Sequence, residues 1–200
     1  MASATGQIEP EAYWVKPTPH VPNSRLPILV YRDALKDTSP DNILATIEPN
    51  GWLKGGQWKA YYVAHFHSNA HECYGVIKGS NVYLLGKSDI DPDVDEEGQA
   101  YGLKLFVQKG DVFVFPAGIA HASFEAKDDY EFVGLYPDGP LVDGTRYDMN
   151  YAKAGPEETK KLAEASAQVP IPHSDPLYGA GGPLPRIWAE ADRAAASKIR

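Results

Sequence analysis

Three of the six histidines, one glutamate and the only cysteine lie within the eleven residues "HFHSNAHECYG", residues 65–75. Neutral imidazole is a common ligand for zinc, copper, iron and nickel. His65 and His67 are separated by one residue, so on a strand both side chains point to the same face. Glu72 begins the next strand-like segment after a short turn and can return to face the pair. An isolated histidine is more often a satisfied core or surface residue, but this spacing indicates a metal site.

His71 and Cys73 flank the glutamate and are expected to face elsewhere. If Glu72 faces the metal, strand alternation directs both neighbours away from it. For His71 two roles stay open, an acid–base group behind the ligands or a polar residue of a surface turn, and we favour the surface turn. Cys73 is expected to lie in the layer behind the pocket rather than to act as a catalytic thiol.

A fourth candidate ligand ends the segment "GDVFVFPAGIAH", residues 110–121. Glycine and aspartate turn the chain at its start, and the stretch "PAG" turns it again just before His121. A rigid turn before a histidine is an effective way to fix the direction of its side chain. His121 is therefore a candidate to complete the site from a distant part of the chain.

These two segments resemble the two cupin motifs. Residues 65–79 match the first, HxH followed by glutamate after four further residues and glycine after six more. Residues 110–121 match the second, G-x5-P-x-G-x2-H, and both match in order and spacing. The resemblance implies a small double-stranded β-barrel with a metal inside, held by His65, His67, Glu72 and His121. Lys59 and Glu125 stand where cupins often have a glycine and an asparagine.

A narrower resemblance, to the YjlB-like cupins, covers most of the chain. It includes "PHVPNSRLPILVYR", "NGWLKGGQW" and "SDPLYGAGGPLPRIW" beside the two motifs. These proteins have a single barrel, and their chemistry is largely unassigned. The narrower resemblance therefore indicates related proteins and does not indicate a particular activity.

The expected ligand set leaves coordination positions open for water, substrate or dioxygen. It resembles that of cupins with Fe, Mn, Ni, Co or Zn, and the sequence does not choose between these metals. We expect a metal-dependent enzyme acting on a small organic molecule, and we favour dioxygen-dependent oxygenation of a chelating enol or phenol. Two alternatives stay open: a redox-neutral isomerase, cyclase or decarboxylase that uses the metal as a Lewis acid, and a binding module without turnover.

Strand alternation also predicts which other side chains share the faces of the ligands. Counting back from His65, on from His121 and on from Glu72 gives Val63, Tyr61, Lys59, Ser123, Glu125 and Tyr74. We expect most of these positions to pack and a minority to touch substrate. Lys59, Glu125 and His71 are the candidates for acid–base catalysis, and the others are candidates for the substrate pocket.

The elements that must position these residues are short strands. Segments rich in Val, Ile, Phe and Tyr, separated by turn residues, predict an antiparallel barrel or sandwich. They are residues 28–32, 60–67, 72–79, 81–86, 103–108, 111–116, 120–126 and 130–137. With the resemblance, the fold prediction is mainly all-β: a cupin jelly-roll barrel at 28–138 with short flanking helices.

The flanks are predicted to lie on this barrel. Residues 1–27 form an extended N-terminal arm, and residues 139–200 form a C-terminal helix followed by an arm rich in proline and glycine. Capping residues and prolines predict helices at 39–51 and 155–168. Residues 169–188 are expected to lie along the body without regular structure, residues 189–200 to form a frayed helix, and the acidic segment 88–100 to be a solvated loop.

Charge and composition exclude several classes of partner. The net charge is −8 and no basic cluster occurs, which disfavours nucleic acids and acidic membranes. One cysteine cannot form an internal disulfide. No signal-peptide pattern and no apolar run of membrane-spanning length occurs. We therefore expect a cytoplasmic protein with a small-molecule substrate, and by resemblance to small cupins we expect a homodimer.

Overall fold

The computed structural model describes residues 6–139, 141 and 144–197. Its strands are β1 (Glu11–Tyr13), β2 (Ile28–Tyr31), β3 (Trp52–Lys59), β4 (Glu72–Leu85), β5 (Leu103–Gln108), β6 (Val112–Phe115) and β7 (His121–Pro137), and its α-helices are α1 (Pro40–Ile47), α2 (Pro156–Ala167) and α3 (Pro183–Ser197). The strands form one antiparallel sheet in the order β1-β2-β6-β4-β7-β3, with β5 also paired to β4. The predicted mainly-β class is confirmed.

Two long strands replace four predicted short ones. Residues 72–79 and 81–86 belong to the single strand β4, and residues 120–126 and 130–137 to β7. Register shifts interrupt their pairing on both sides of Lys78, and Gly79 has a φ of 69°. Bulges of this kind bend a strand without ending it. Glycine and serine at the bend have the composition of a turn, which explains why the sequence pattern suggested two strands.

The inner strands are buried on both faces. In β2, Ile28 and Val30 join the aromatic cluster inside the barrel, whereas Leu29 and Tyr31 join a second cluster on the opposite face. Helices α1 and α3 cover that second cluster. Strands buried on both faces have continuous apolar sequences rather than alternating ones, as "ILVY" and "VFVF" show.

The strand predicted at residues 60–67 is wrong. The structure places β3 earlier, at Trp52–Lys59, where it pairs with β7. Residues 60–67 make only single bridges, from His65 to His121 and from Phe66 to Asn150. Two glycines gave β3 a weak strand signal. At Gly55 a Cβ atom would collide with the ring of Tyr136, so this site needs glycine for a close approach of side chain to backbone.

The helices follow their capping signals at two of three places. Ser39 caps α1 through its hydroxyl, and α2 spans most of the predicted segment 155–168. Helix α3 begins at Pro183, earlier than the predicted frayed helix, because Leu184 and Trp188 are buried on the barrel. Proline is compatible with a first helical turn. Within the described residues, no helix is long and apolar enough to cross a membrane.

Both flanks pack on the barrel. In the N-terminal arm, β1 pairs with β2, and Val15 and Val21 are buried. Residues 1–5, 140, 142–143 and 198–200, which belong to the predicted arms, lie outside the described residues. The C-terminal arm is anchored by Asp175, which is fully buried. Its carboxylate accepts hydrogen bonds from the Tyr31 hydroxyl and from the backbone N–H groups of Leu177, Tyr178 and Leu184.

Replacing Asp175 by alanine should lower the free energy of unfolding by about 3 kcal/mol, because buried donors of Tyr31 and Leu184 lose a charged acceptor. Asp175→Asn should cost less, since one oxygen still accepts. Urea unfolding measures both. The control is Asp192→Ala, which removes an exposed carboxylate paired with Arg25 and should change little. Equal effects of the two alanine variants would contradict the anchoring role.

Candidate metal centre

Three imidazoles and one carboxylate converge inside the barrel. His65, His67 and His121 each offer one ligand atom, and these atoms lie within 4.8 Å of one another. Glu72 Oε2 lies 3.2 Å from His67 Nε2 and 3.1 Å from His121 Nε2. All four side chains are buried. The structure thus brings together the four residues that the sequence motifs single out.

Backbone carbonyls orient the three rings in the same way. The Nδ1 atom of His65 donates to the carbonyl of Val63 at 2.9 Å, and that of His121 donates to Ile119 at 3.0 Å. A carbonyl only accepts, so each Nδ1 must carry the proton, and in the neutral ring Nε2 then has a free lone pair. His67 Nδ1 donates in the same manner to Asp148, at 2.5 Å. Each ring is therefore held in the tautomer that can bind a metal through Nε2.

Glu72 presents a single oxygen to the histidines. Its Oε1 accepts a short hydrogen bond from the Tyr136 hydroxyl, which leaves Oε2 facing His67 and His121. The ring of Tyr136 lies 5.7 Å from that of His67. Glu72 begins β4, where it pairs with Phe115 of β6, and β7 on the other side of β4 carries Tyr136 and His121.

The protonation states of the cluster suit metal binding. Burial, together with the charge of nearby His121, lowers the pKa of His65 to about 3, so this ring is neutral at pH 7. Burial opposes a charge on Glu72, but His67 and His121 hold the pKa of its carboxyl well below the usual range. Burial likewise opposes a proton on His67, while the Glu72 carboxylate raises the pKa of that ring. A metal cation would replace the proton as the partner of Glu72.

The residues fit a divalent metal on structural grounds. His121 Nε2 is buried and lies 3.1 Å from Glu72 Oε2 but makes no hydrogen bond with it or with any other described residue, so its lone pair is left for another partner. Three imidazoles and a carboxylate are a donor set for Zn, Fe, Mn, Ni or Co and do not select one. The described part of the acidic segment 88–100 contributes no second cluster of this kind.

A cavity of about 350 Å³ opens onto His65, His67 and Glu72, and His121 lies beside them with its ring 4.3 Å from that of His65. The other walls of the cavity are mostly aromatic. They consist of Trp58, Lys59, Ala60, Tyr61, Tyr74, Phe132, Tyr136, Tyr147 and Met149. The rings of Tyr74 and Phe132 lie 4.1 Å apart, and those of Tyr136 and Tyr147 are stacked at 4.5 Å. The cavity can take a small planar molecule beside a metal.

Of the six residues predicted to share the ligands' face, Lys59, Tyr61 and Tyr74 line the cavity and the other three do not. Ser123 is buried, but its hydroxyl accepts hydrogen bonds from the Tyr61 backbone and from another strand and so supports the wall from behind. Val63 is partly exposed, and only its carbonyl serves the site. Alternation fails before His65 because residues 60–64 are not in a strand.

The prediction that Glu125 shares the face of His121 is wrong. In β7, Ser123 pairs with Tyr83 and Glu125 pairs with Val82. Neighbouring residues of β4 thus pair with residues two positions apart in β7, which marks a bulge in β7. This bulge reverses the alternation. Glu125 is exposed and forms an ion pair with Lys127. Among the described residues it is not part of the cavity wall.

The favoured prediction of a surface turn for His71 is also wrong. His71 is buried and faces the C-terminal arm, away from the metal ligands. Its Nδ1 accepts from the backbone N–H of Ala117 at 3.0 Å, and its Nε2 lies 3.1 Å from the carbonyl of Pro170. Its ring packs 4.7 Å from Trp188, and burial lowers its pKa to about 4. His71 is thus a neutral, fully bonded group between barrel and arm. Cys73 lies in the cluster on that same side, as predicted.

Sequence reasoning missed the residues that close the cavity. Tyr136 lies in a predicted strand, but its contact with Glu72 joins residues 64 positions apart. Tyr147 and Met149 come from a segment after the barrel without a periodic pattern. Their one signal is composition, since an aromatic ring and a thioether are unusual in a solvated linker.

Tyr136→Phe should lower the affinity for a divalent metal by about 10-fold, because groups that orient a ligand typically contribute that much. The substitution removes only the hydroxyl that holds Glu72 Oε1. Competition with a chromophoric chelator measures the affinity. Tyr130→Phe is the matched control, since its hydroxyl contacts Tyr83 and not a candidate ligand. An unchanged affinity in Tyr136→Phe would contradict the orienting role.

Comparison with solved structures finds similar chains at low identity. One is RmlC from Streptococcus suis in complex with dTDP-D-xylose, at 12% identity and a TM-score of 0.37, covering 82% of this chain and 90% of that one. A second is an 11S globulin from Wrightia tinctoria, at 15% identity and a TM-score of 0.34, covering 52% of this chain. This chain spans only 27% of the globulin. At such TM-scores these likenesses bear on neither activity nor ligand.

No curated protein matches this chain. The family model described as Cupin matches residues 57–144, which include β4 to β7 and all four candidate ligands. The narrower YjlB-like resemblance stays a prediction, because this match is at the level of the broader family. The antiparallel strands β4 to β7 and both motifs lie in the matched region, so residues 57–144 form a cupin domain.

Proposed function

We propose that this protein is a metal-dependent enzyme that oxygenates a small chelating molecule, an enol or a phenol, with dioxygen. His65, His67, Glu72 and His121 would hold one divalent metal. The observation that carries the proposal is the convergence of these four side chains, three of which line an aromatic cavity of about 350 Å³. Such a metal would supply Lewis acidity and, if it is redox-active, electrons for dioxygen.

The aromatic walls support a planar substrate. Tyr74, Phe132 and Trp58 form one side, and Tyr136 stacked on Tyr147 forms another. Apolar walls exclude water and strengthen the electrostatic interactions of a bound anion. A volume of about 350 Å³ lies at the small end of ligand pockets, which favours a compact molecule.

The shortage of acid–base groups favours oxygenation over isomerisation. In the described lining, the only carboxylate and imidazoles are the candidate ligands themselves. Lys59 lies at the wall, but its ammonium forms an ion pair with Asp129. Proton-transfer chemistry at carbon needs a positioned base near neutral pKa, and apart from Lys59 the lining offers only tyrosine hydroxyls. Oxygenation of a substrate that chelates as its anion makes a smaller demand on the protein.

The experiment is metal analysis of the purified chain followed by oxygen uptake under air. The iron-loaded protein is mixed with a panel of catechols, enols and β-diketones, and His67→Ala is the matched control. We expect oxygen consumption with at least one chelating substrate and none with the variant. Zinc as the native metal without oxygen uptake would overturn oxygenation in favour of Lewis-acid chemistry, with Lys59 as the candidate base. A retained small molecule without turnover would favour a binding module.

The homodimer and the cytoplasmic location stay predictions. Light scattering coupled to size exclusion tests the first directly.

A further inference from the structure

Residues 145–150, here called the strap, follow the barrel and form one wall of the metal cavity. Tyr147 lies 4.5 Å from the ring of Tyr136 and 4.7 Å from that of His67. Phe66 and Asn150 exchange two backbone hydrogen bonds, at 2.9 and 3.0 Å. The strap is therefore fastened to the segment that carries two candidate ligands.

Asp148 clamps the strap in place. Its carboxylate accepts from the Ser68 backbone N–H at 2.6 Å, from the Ser68 hydroxyl at 2.5 Å and from the Asn150 amide at 2.9 Å. Its own N–H donates to the side-chain oxygen of Asn69 at 2.9 Å. Four hydrogen bonds thus fix both the side chain and the peptide plane of this residue.

The same residue supplies the acceptor for His67. The carbonyls that orient His65 and His121 belong to residues two positions earlier in their own segments. The carbonyl of Asp148 is 81 positions from His67 in sequence. Two rings are thus oriented locally, whereas the third depends on a distant segment that must be held against the barrel.

We propose that Asp148 is a positioning residue of the metal centre, which holds His67 in its Nε2-binding tautomer by clamping the strap. The proposal rests on the proposed metal site. Because linkage is reciprocal, metal binding must then stabilise the strap by the same free energy with which the strap stabilises metal binding. Strap and metal form one coupled unit.

Cobalt(II) titration of the full chain tests this proposal. Asp148→Ala should weaken Co²⁺ binding by about 10- to 100-fold and alter the visible d–d absorption, since the His67 ring loses its fixed direction. Asp148→Asn should keep most of the wild-type affinity for Co²⁺, because the side-chain amide oxygen can still accept from the Ser68 backbone N–H. In wild type, Co²⁺ should slow hydrogen exchange of the Phe66 and Asn150 amides, and in Asp148→Ala it should do so much less.

Asp111→Ala is the matched structural control. Asp111 is also a buried carboxylate clamp, but it accepts from Arg32, Asp33 and Gln108 and touches no candidate ligand. The Asp111→Ala variant should have a lower thermal stability and an unchanged Co²⁺ affinity. Asp148→Ala behaving like this control would overturn the proposal. If Asp148→Ala does not fold, Ser68→Ala, which removes one bond of the clamp, must weaken Co²⁺ binding or the proposal fails. A wild-type chain that binds no Co²⁺ overturns the proposed function as well.

Discussion

His67→Ala is expected to remove stoichiometric metal from the purified protein. The ring is buried and its Nε2 faces the Glu72 carboxylate. Groups that orient a ligand contribute roughly 10- to 100-fold to metal affinity. Loss of the ligand itself should reduce the affinity by more than that. Metal content after dialysis against a weak chelator, measured by plasma emission, gives the result.

Two other histidines serve as controls for this experiment. His173→Ala removes an exposed imidazole, and His71→Ala removes the buried imidazole that bonds to Ala117 and Pro170. We expect both to retain metal, although His71→Ala should be less stable. Equal metal loss in the His71 and His67 variants would contradict the separation of roles within "HFHSNAHECYG".

Trp188→Ala should lower the free energy of unfolding by about 4 kcal/mol. The indole is fully buried in the cluster between sheet and helices, and its Nε1 donates to the carbonyl of Pro27 at 2.9 Å. Its removal leaves a cavity and an unpaired acceptor, and it removes one contact of α3 with the N-terminal arm and its packing on His71. Urea denaturation followed by circular dichroism measures the change.

Trp14→Ala is the matched control, since this indole is 59% exposed. It should change stability by a small fraction of the Trp188 effect. Folded Trp188→Ala should still bind metal, because the indole contacts His71 rather than a candidate ligand. If both tryptophan variants unfold at the same urea concentration, the C-terminal helix does not stabilise the barrel in the way that its contacts indicate.

The candidate ligands could be predicted from the motif spacings because those spacings describe local geometry. Although residues 60–67 form no strand, the rings of His65 and His67 lie 5.6 Å apart, and the turn before His121 aims its ring toward them. The helix starts at Ser39 and Pro156 were predictable for the same reason, since capping depends on a few adjacent residues. Alternation also separated Cys73 from Glu72 correctly.

The errors arose where long-range pairing overrode local pattern. A bulge in β7 turned Glu125 to solvent, and the pairing of β3 with β7 left residues 60–67 irregular. His71 became a core residue only because the C-terminal arm covers it. None of these outcomes depends on residues near the affected position.

The strand pattern therefore predicted the mainly-β class, and the resemblance to the two cupin motifs implied the four side chains that converge. Strand pattern and motif spacing are properties of near neighbours in the chain, which is why they can be read without the fold. The folded chain completes the centre through two contacts that no local pattern predicts, of the Tyr136 hydroxyl with Glu72 and of the Asp148 carbonyl with His67. These partners are 64 and 81 positions apart, and a contact at that separation is set by packing of the whole chain rather than by local pattern.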